Sequence, residues 1–296
     1  MQLHTIGLIG FGEAGGILAQ DLAVQGVAVQ VYDSLLDDPH GRASLQAKIA
    51  VMPTRLCEST AEAVRGVPLV ISAVTAGNAL AVAKAAATAM QPGQLFMDIN
   101  SVAPGTKQAA SEAIVASGAS YIDAAVMAPV PPQRLKTPVL LGGSAAVELS
   151  AALNALGFAT RVVSEQVGVA SAIKMCRSVM IKGLEALTTE SLRTARHYGA
   201  EAEVLASLHK SFPSMGWDGE LPHYLISRVA EHGGRRAEEM EEVAETVRMA
   251  GVEPDMSAAT VRVQRGLVDA IAKKGLRYAD LEPFSWLQLA DRLRND

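Results

Sequence analysis

The sequence predicts an α/β protein with a doubly wound parallel sheet, then one long linking helix and an all-α C-terminal domain. Short apolar runs alternate with helical patterns as far as residue 163, which is typical of a parallel sheet with helices on both faces. The alternation stops near Gly168, and from there to Tyr198 no helix breaker stronger than Gly183 occurs. We therefore expect one domain over residues 1–166 and an all-helical one over residues 167–296.

The first apolar run, residues 5–9, breaks into the pattern G-x-G-x-x-G from Gly10 onward. If a strand ends at Ile9 and a helix begins near Gly12, the backbone can turn tightly and approach a pyrophosphate at the helix N-terminus. The pattern alone is a weak signal. A second strand at residues 27–32 strengthens it, because Asp33 follows at the spacing of a ribose-binding carboxylate. The sequence thus predicts a Rossmann-type dinucleotide-binding domain.

Asp33 also bears on the choice of cofactor. A carboxylate accepts hydrogen bonds from both ribose hydroxyls of NAD but repels the 2′-phosphate of NADP, and no arginine follows before Arg42. NAD is therefore favoured, with NADP as the alternative. A strand at residues 69–74 should end beside the cofactor, because ligands of such sheets lie beyond the strand carboxyl ends. The predicted cofactor contacts are Gly10, Phe11, Gly12, Glu13, Ala14, Asp33, Val74, Thr75 and Asn100.

The remaining elements follow from local patterns. Ser59 and Glu62 have the spacing of a capping box that starts a short helix, and Pro104 suits the first turn of another. Further strands are expected at residues 95–98, 121–126, 138–141 and 160–163. Helices are expected at residues 12–25, 80–90, 200–210, 224–232, 235–250, 254–274 and 283–293.

Composition limits the possible partners and location. The formal net charge is −5 and the basic residues are scattered, so a nucleic-acid partner is not expected. Cys57 and Cys176 are too few for a disulfide framework, which favours a reducing, cytoplasmic environment. No basic leader or membrane-spanning apolar run is visible. We expect a small-molecule substrate, no membrane partner and no metal site.

A second group of polar residues lies on the linking helix. Ser171, Lys174, Ser178 and Lys182 are three or four residues apart and so share one helix face. By spacing alone, a solvated lysine is the usual interpretation. A helix that starts at a domain junction can instead place Lys174 beside a pocket, where partial desolvation lowers its pKa and suits it to acid/base chemistry.

Four blocks, residues 7–15, 98–104, 123–143 and 168–178, resemble the β-hydroxyacid dehydrogenase family, which includes 3-hydroxyisobutyrate and 6-phosphogluconate dehydrogenases. The resemblance implies that Lys174 is the catalytic acid/base, because the lysine of the family motif G-x-G-x-x-x-K-x-x-x-N falls there. It also implies that Asn100 and Ser101 lie beside substrate and cofactor. The second domain resembles a divergent, phosphogluconate-dehydrogenase-like branch.

Departures from the family pattern affect the expected substrate. The motif D-A-P-V-S-G-G reads D-A-A-V-M-A-P at residues 123–129, so the serine and paired glycines that hold a substrate carboxylate are missing. Ser178 replaces the asparagine, and Ile181 replaces a glutamate of the phosphogluconate branch, which argues against phosphogluconate. Arg134, Lys136 and Arg177 are candidates for binding an anionic substrate instead. The predicted substrate contacts are Asn100, Ser101, Asp123, Met127, Ser171 and Ser178.

The expected function is hydride transfer between a nicotinamide cofactor and a hydroxy acid or sugar-acid-like substrate, with Lys174 moving the proton. One alternative is reduction of an imine or ketone, which the missing serine and glycines would permit. Another is a non-catalytic, NAD-responsive binding protein. Long amphipathic helices in the second domain, together with the resemblance, imply a homodimer formed through that domain.

Overall fold

The computed structural model describes residues 1–50, 52 and 54–294. The chain forms two compact units, Met1–Lys174 and the residues from Met175 onward. In the described residues the first unit contains an eight-stranded sheet in the order β3-β2-β1-β4-β5-β6-β7-β8. The strands are β1 Thr5–Ile9, β2 Ala28–Tyr32, β3 Thr54–Leu56, β4 Leu69–Ser72, β5 Leu95–Asp98, β6 Ser120–Val126, β7 Pro138–Gly142 and β8 Ala159–Ser164.

The helices of the first unit cover the sheet, and α8 continues into the second unit, whose described regular elements are all helices. The α-helices are α1 Glu13–Val24, α2 Pro39–Ala50, α3 Thr60–Val64, α4 Ala79–Ala87, α5 Pro104–Val115, α6 Val130–Gln133, α7 Ala146–Ala155, α8 Val169–His197, α9 Glu201–Ser211, α10 Leu221–Met249, α11 Asp255–Lys273 and α12 Trp286–Arg292. No helix in residues 1–50, 52 and 54–294 is both long enough and apolar enough to cross a bilayer.

The sheet is buried on both faces. Successive residues of β4 point to opposite sides, so Leu69 and Ile71 enter one apolar cluster while Val70 enters the other. Helices cover both clusters, which explains why the strand is a continuous apolar run in the sequence. The predicted α/β fold, with its doubly wound sheet and helical C-terminal part, is confirmed.

One strand pair departs from the all-parallel expectation. β7 runs antiparallel to β6, whereas the other paired strands of the sheet are parallel. The connection between β6 and β7 contains only the one-turn helix α6 and a 3-10 turn. A parallel return needs a crossover of about a dozen or more residues, usually a full helix. The short connection therefore reverses the chain.

The prediction of separate helices at 224–232 and 235–250 is wrong, because α10 continues through Gly233 and Gly234. Gly233 lies where α11 crosses α10, and a Cβ atom there would stand 2.4 Å from the backbone oxygen of Gln264. Gly234 faces open space. The first glycine thus permits close helix packing instead of ending the helix.

The different surroundings of Gly233 and Gly234 provide a matched pair of substitutions. Gly233→Ala is expected to lower the free energy of unfolding by about 1–3 kcal/mol, because the two helices must move apart. Gly234→Ala should raise it by about 0.5–1 kcal/mol, because alanine favours the helix and meets no neighbour. Urea denaturation of both variants measures the difference. Equal effects would show that the helix crossing does not require Gly233.

Candidate functional site

The loop between β1 and α1 has the properties of a phosphate-binding turn. Gly10 adopts a φ of 96°, and a Cβ atom there would lie 2.3 Å from the backbone oxygen of Ala73. Gly12 is the N-cap of α1, no side chain caps this terminus, and no neighbouring atom lies within 4 Å of where its Cβ would be. Glu13 and Ala14 form the first turn of the helix. The open, uncapped N-terminus fits the pyrophosphate of a dinucleotide.

Asp33 lies directly beside this loop. Its Oδ2 accepts a hydrogen bond from the backbone N–H of Phe11 at 2.6 Å, and its Oδ1 accepts one from Leu35 at 2.9 Å. The Gly10 N–H donates to the Tyr32 carbonyl at 2.8 Å, which joins the loop to the end of β2. The carboxylate is half-buried and fixed at the glycine-rich loop. This arrangement fits a group that reads the adenosine ribose.

Asn100 connects the carboxyl ends of two adjacent strands, β4 and β5. Its Oδ1 accepts from the Val74 N–H at 2.6 Å, and its Nδ2 donates to the Ser72 hydroxyl at 3.0 Å. Thr75 follows Val74 and is exposed, with its hydroxyl accepting from Asn78 at 3.0 Å. Asn100 therefore fixes the segment after β4, where the sequence places cofactor contacts.

Lys174 and Ser101 meet in the first unit. The Lys174 ammonium nitrogen donates to the Ser101 hydroxyl oxygen at 2.5 Å, and both residues are half-buried. Ser101 follows Asn100 at the end of β5, whereas Lys174 lies in the second turn of α8. The fold thus brings the amine of one sequence block into direct contact with the hydroxyl of another. Such a pair can bind and move a proton.

A buried charged cluster lies next to these residues. The Lys107 ammonium is fully buried and donates to the Asp98 backbone oxygen at 2.6 Å, with the Asp98 Oδ1 at 2.9 Å. Tyr121 donates its hydroxyl hydrogen to Asp98 Oδ2 at 2.6 Å. Burial, followed by the Asp98 carboxylate, raises the pKa of Tyr121 far above its usual range, so it stays a donor. The sequence analysis did not identify this cluster.

Asp123 and Ser171 use their polar atoms within the protein. Asp123 is fully buried, and its Oδ2 accepts from the Gly168 N–H, the Ser171 N–H and the Ser171 hydroxyl, each at 3.0 Å. This carboxylate thus caps the N-terminus of α8, whose first N–H groups lack partners within the helix. Both residues therefore support the start of α8, and their predicted direct contact with substrate stays a prediction.

The other predicted substrate residues have different surroundings. Met127 is half-buried and packs in a small apolar cluster with Ala125, Leu140 and Ala170. Ser178 is buried on α8, in the second unit. The structure therefore joins Ser101 with Lys174, and Asp123 with Ser171, but gives Met127 an apolar role.

Arg134 has a structural partner and remains partly exposed. It forms a bidentate pair with Asp21 of α1, at 2.6 and 3.0 Å, and also donates to Gln20. The hydrogen bonds to Asp21 raise the pKa of the guanidinium. Arg134 thus ties the proline-rich loop to α1, whereas Lys136 and Arg177 are exposed. Arg134 therefore has an anchoring role, and its predicted contact with an anionic substrate stays a prediction.

The comparisons with known proteins match the first unit to a nicotinamide-binding domain. Residues 5–164 match the family model described as the NAD binding domain of 6-phosphogluconate dehydrogenase, and residues 195–267 match a domain of unknown function. A conserved hypothetical protein from Sinorhizobium meliloti is 36% identical, covers 99% of this chain and 97% of its own, and superposes with a TM-score of 0.82.

Two further relatives are more distant. A conserved protein of unknown function, described as structurally similar to 3-hydroxyacid dehydrogenases, is 31% identical over 91% of this chain and 98% of its own, with a TM-score of 0.73. The mitochondrial 3-hydroxyisobutyrate dehydrogenase of Drosophila melanogaster is 23% identical over 222 residues. That match covers 73% of this chain and 66% of the fly protein.

Proposed function

Because the chain belongs to the β-hydroxyacid dehydrogenase family of nicotinamide-dependent oxidoreductases, as a divergent branch, we propose that it interconverts a hydroxy acid or sugar-acid-like substrate and its carbonyl form. The contact between the Lys174 amine and the Ser101 hydroxyl carries this proposal. It lies at the carboxyl end of β5, which is where ligands of open α/β sheets bind.

The residues of the first unit fit a dinucleotide. Gly10 and Gly12 leave space at the N-terminus of α1, and Asp33 lies beside that loop with its carboxylate fixed by backbone donors. We propose NAD as the preferred cofactor, because Asp33 would accept from both ribose hydroxyls and repel a 2′-phosphate. The nicotinamide, when bound, supplies the hydride acceptor or donor.

In the proposed mechanism Lys174 moves the proton. As a neutral amine it takes the proton from the substrate hydroxyl during oxidation, and as an ammonium it returns that proton to the carbonyl oxygen during reduction. Ser101 holds the amine by accepting its hydrogen bond, while Asn100 fixes the neighbouring backbone through Val74. Correct placement of these groups contributes to the rate by removing the need to orient them during the reaction.

A second candidate, an imine or ketone reductase, is favoured by one observation. The segment after β6 lacks the serine and paired glycines, and Met127 there packs against apolar neighbours. A substrate without a carboxylate would not need the missing groups. A non-catalytic, NAD-responsive binding protein is the alternative from another class.

A thermal-shift titration separates these possibilities. Native protein is titrated with NAD, NADH and NADP, then with hydroxy acids, sugar acids, ketones and cyclic imines in the presence of the better cofactor. A ligand that binds only the folded state stabilises it by about 2.7 kcal/mol at a hundred times its Kd. We expect NAD and a hydroxy or sugar acid to raise the Tm most, followed by turnover of that acid. Stabilisation by carbonyls or imines alone would support the reductase, and stabilisation by NAD and NADH without turnover would support the binding protein.

We also propose that the protein is a cytoplasmic homodimer assembled through its helical unit. Met180 and Leu187, seven residues apart on α8, are 73% and 56% exposed. Large apolar side chains on one helix face are better covered by a second copy than by water. Sedimentation of native protein and of Met180→Lys measures the oligomeric state. We expect native protein to be a dimer and the substitution to weaken it. A monomeric native protein would contradict the proposal.

A further inference from the structure

Lys107 is a fully buried lysine that the proposed mechanism does not use. It projects from the first turns of α5 to two buried carboxylates, Asp98 on β5 and Asp123 on β6. The distances from its ammonium nitrogen to the nearer carboxylate oxygens are 2.9 Å and 3.8 Å. Asp98 and Asp123 stand opposite each other in the register of the two strands. Lys107 therefore compensates two like charges that are both removed from water.

Each carboxylate has a second contact that leads to the candidate site. Asp98 Oδ1 also accepts from the backbone N–H of Asn100 at 2.8 Å, and so it fixes the segment that carries Ser101. Asp123 Oδ2 accepts from the Gly168 and Ser171 N–H groups, and so it fixes the start of α8, one turn before Lys174. The two segments are distant in sequence and meet again at the bond between Ser101 and Lys174.

From this closed chain of contacts, we infer that Lys107 is a positioning residue that holds the Ser101 segment and the start of α8 so that Lys174 meets Ser101. That this placement serves catalysis rests on the proposed function. That Lys107 holds the two segments in place does not. Without the cation, Asp98 and Asp123 repel each other, and each transmits its displacement to one side of the contact. Misplacement of reacting groups by about 1 Å can cost about a hundredfold in rate.

The test measures how readily Lys174 reacts, and it needs neither substrate nor cofactor. Native protein and Lys107→Met are labelled with a trace of acetic anhydride, and mass spectrometry compares Lys174 with the exposed Lys84 of α4 in the same sample. Loosening of the contact with Ser101 should raise the labelling of Lys174 relative to Lys84 by about threefold or more at pH 9. Lys84→Met, with another exposed lysine as reference, is the control and should leave Lys174 unchanged.

A second substitution distinguishes positioning from general damage. In Lys107→Met, the two carboxylates that contact the lysine, Asp98 and Asp123, lose their shared counter-charge. Lys107→Met/Asp123→Asn removes their repulsion and should return labelling towards the native level.

If Lys107→Met does not fold, Ser171→Ala tests the same chain of contacts at its Asp123 link, because it removes the hydroxyl that donates to Asp123 and to the Gly168 carbonyl. Relative labelling of Lys174 should then rise by a smaller factor. An unchanged ratio in the folded variants, or a raised ratio that the double variant does not reverse, would overturn the inference. If the labelling of Lys174 relative to Lys84 changes but the protein turns over no hydroxy acid, the inference about Lys107 holds and the proposed function is refuted.

Discussion

Lys174→Met is expected to lower kcat for the hydroxy acid found in the titration by about 10²–10⁴-fold, the usual contribution of general acid/base catalysis. Methionine has a similar length but cannot hold or release a proton. The binding of NADH should be nearly unchanged, because the glycine-rich loop and Asp33 lie on other elements of the first unit. Steady-state kinetics measure the first effect, and quenching of protein fluorescence by NADH measures the second.

The pH profile gives a second readout for Lys174. Oxidation requires the neutral amine, so kcat/KM for the hydroxy acid should fall as pH decreases. Reduction requires the ammonium form, so its rate should fall as pH increases. Both limbs should disappear in Lys174→Met. Lys84→Met, which replaces an exposed lysine of the same unit, should behave as native protein. Full activity of Lys174→Met would refute the assignment.

Much of the first unit could be predicted from the sequence because local physics decides its elements. Ser59 caps α3 by accepting from the Glu62 N–H, as the capping-box spacing indicates. Pro104 begins α5, and Gly26 ends the turn after α1 with a φ of 78°. Each of these features depends on residues within a few positions of one another. A sequence pattern can record such short-range requirements.

The remaining features depend on residues that are far apart in sequence. Lys107 is buried only because Asp98 and Asp123 accept its charge from two different strands, and an isolated helical lysine gives no sign of this. Arg134 finds Asp21 across 113 positions. In the candidate site, helix spacing and the family resemblance together predicted Lys174, and the resemblance predicted Ser101, but their mutual contact came only from the fold. The resemblance could identify candidate site residues, whereas the distances between their side chains required the structure.

Asp33→Asn is expected to reduce the preference for NAD over NADP by about a hundredfold. Two charges about 5 Å apart interact with about 3 kcal/mol at an effective dielectric constant of 20, and salt screens part of this. The amide oxygen can still accept from the Phe11 N–H, so the glycine-rich loop should keep its shape. The variant thus removes the charge and keeps the acceptor for Phe11, while the Leu35 N–H loses its acceptor.

Isothermal titration of both cofactors into both proteins measures this preference as the ratio of Kd values. NAD should bind more weakly to Asp33→Asn, because hydrogen bonds from the ribose hydroxyls to a charged acceptor are stronger than those to an amide. NADP should bind more tightly, because its 2′-phosphate no longer meets a carboxylate. Both changes should shrink at high salt.

Asp37→Asn separates this local effect from the loss of one negative charge in the same segment. Asp37 is exposed and accepts a hydrogen bond from the Tyr32 hydroxyl at 3.0 Å instead of contacting the glycine-rich loop. Its neutralisation should leave the ratio of Kd values nearly unchanged. If Asp33→Asn and Asp37→Asn change the ratio equally, the preference arises from the general field of the surface. If native protein already prefers NADP, then Asp33 does not read the ribose, and its role is limited to fixing Phe11 and Leu35.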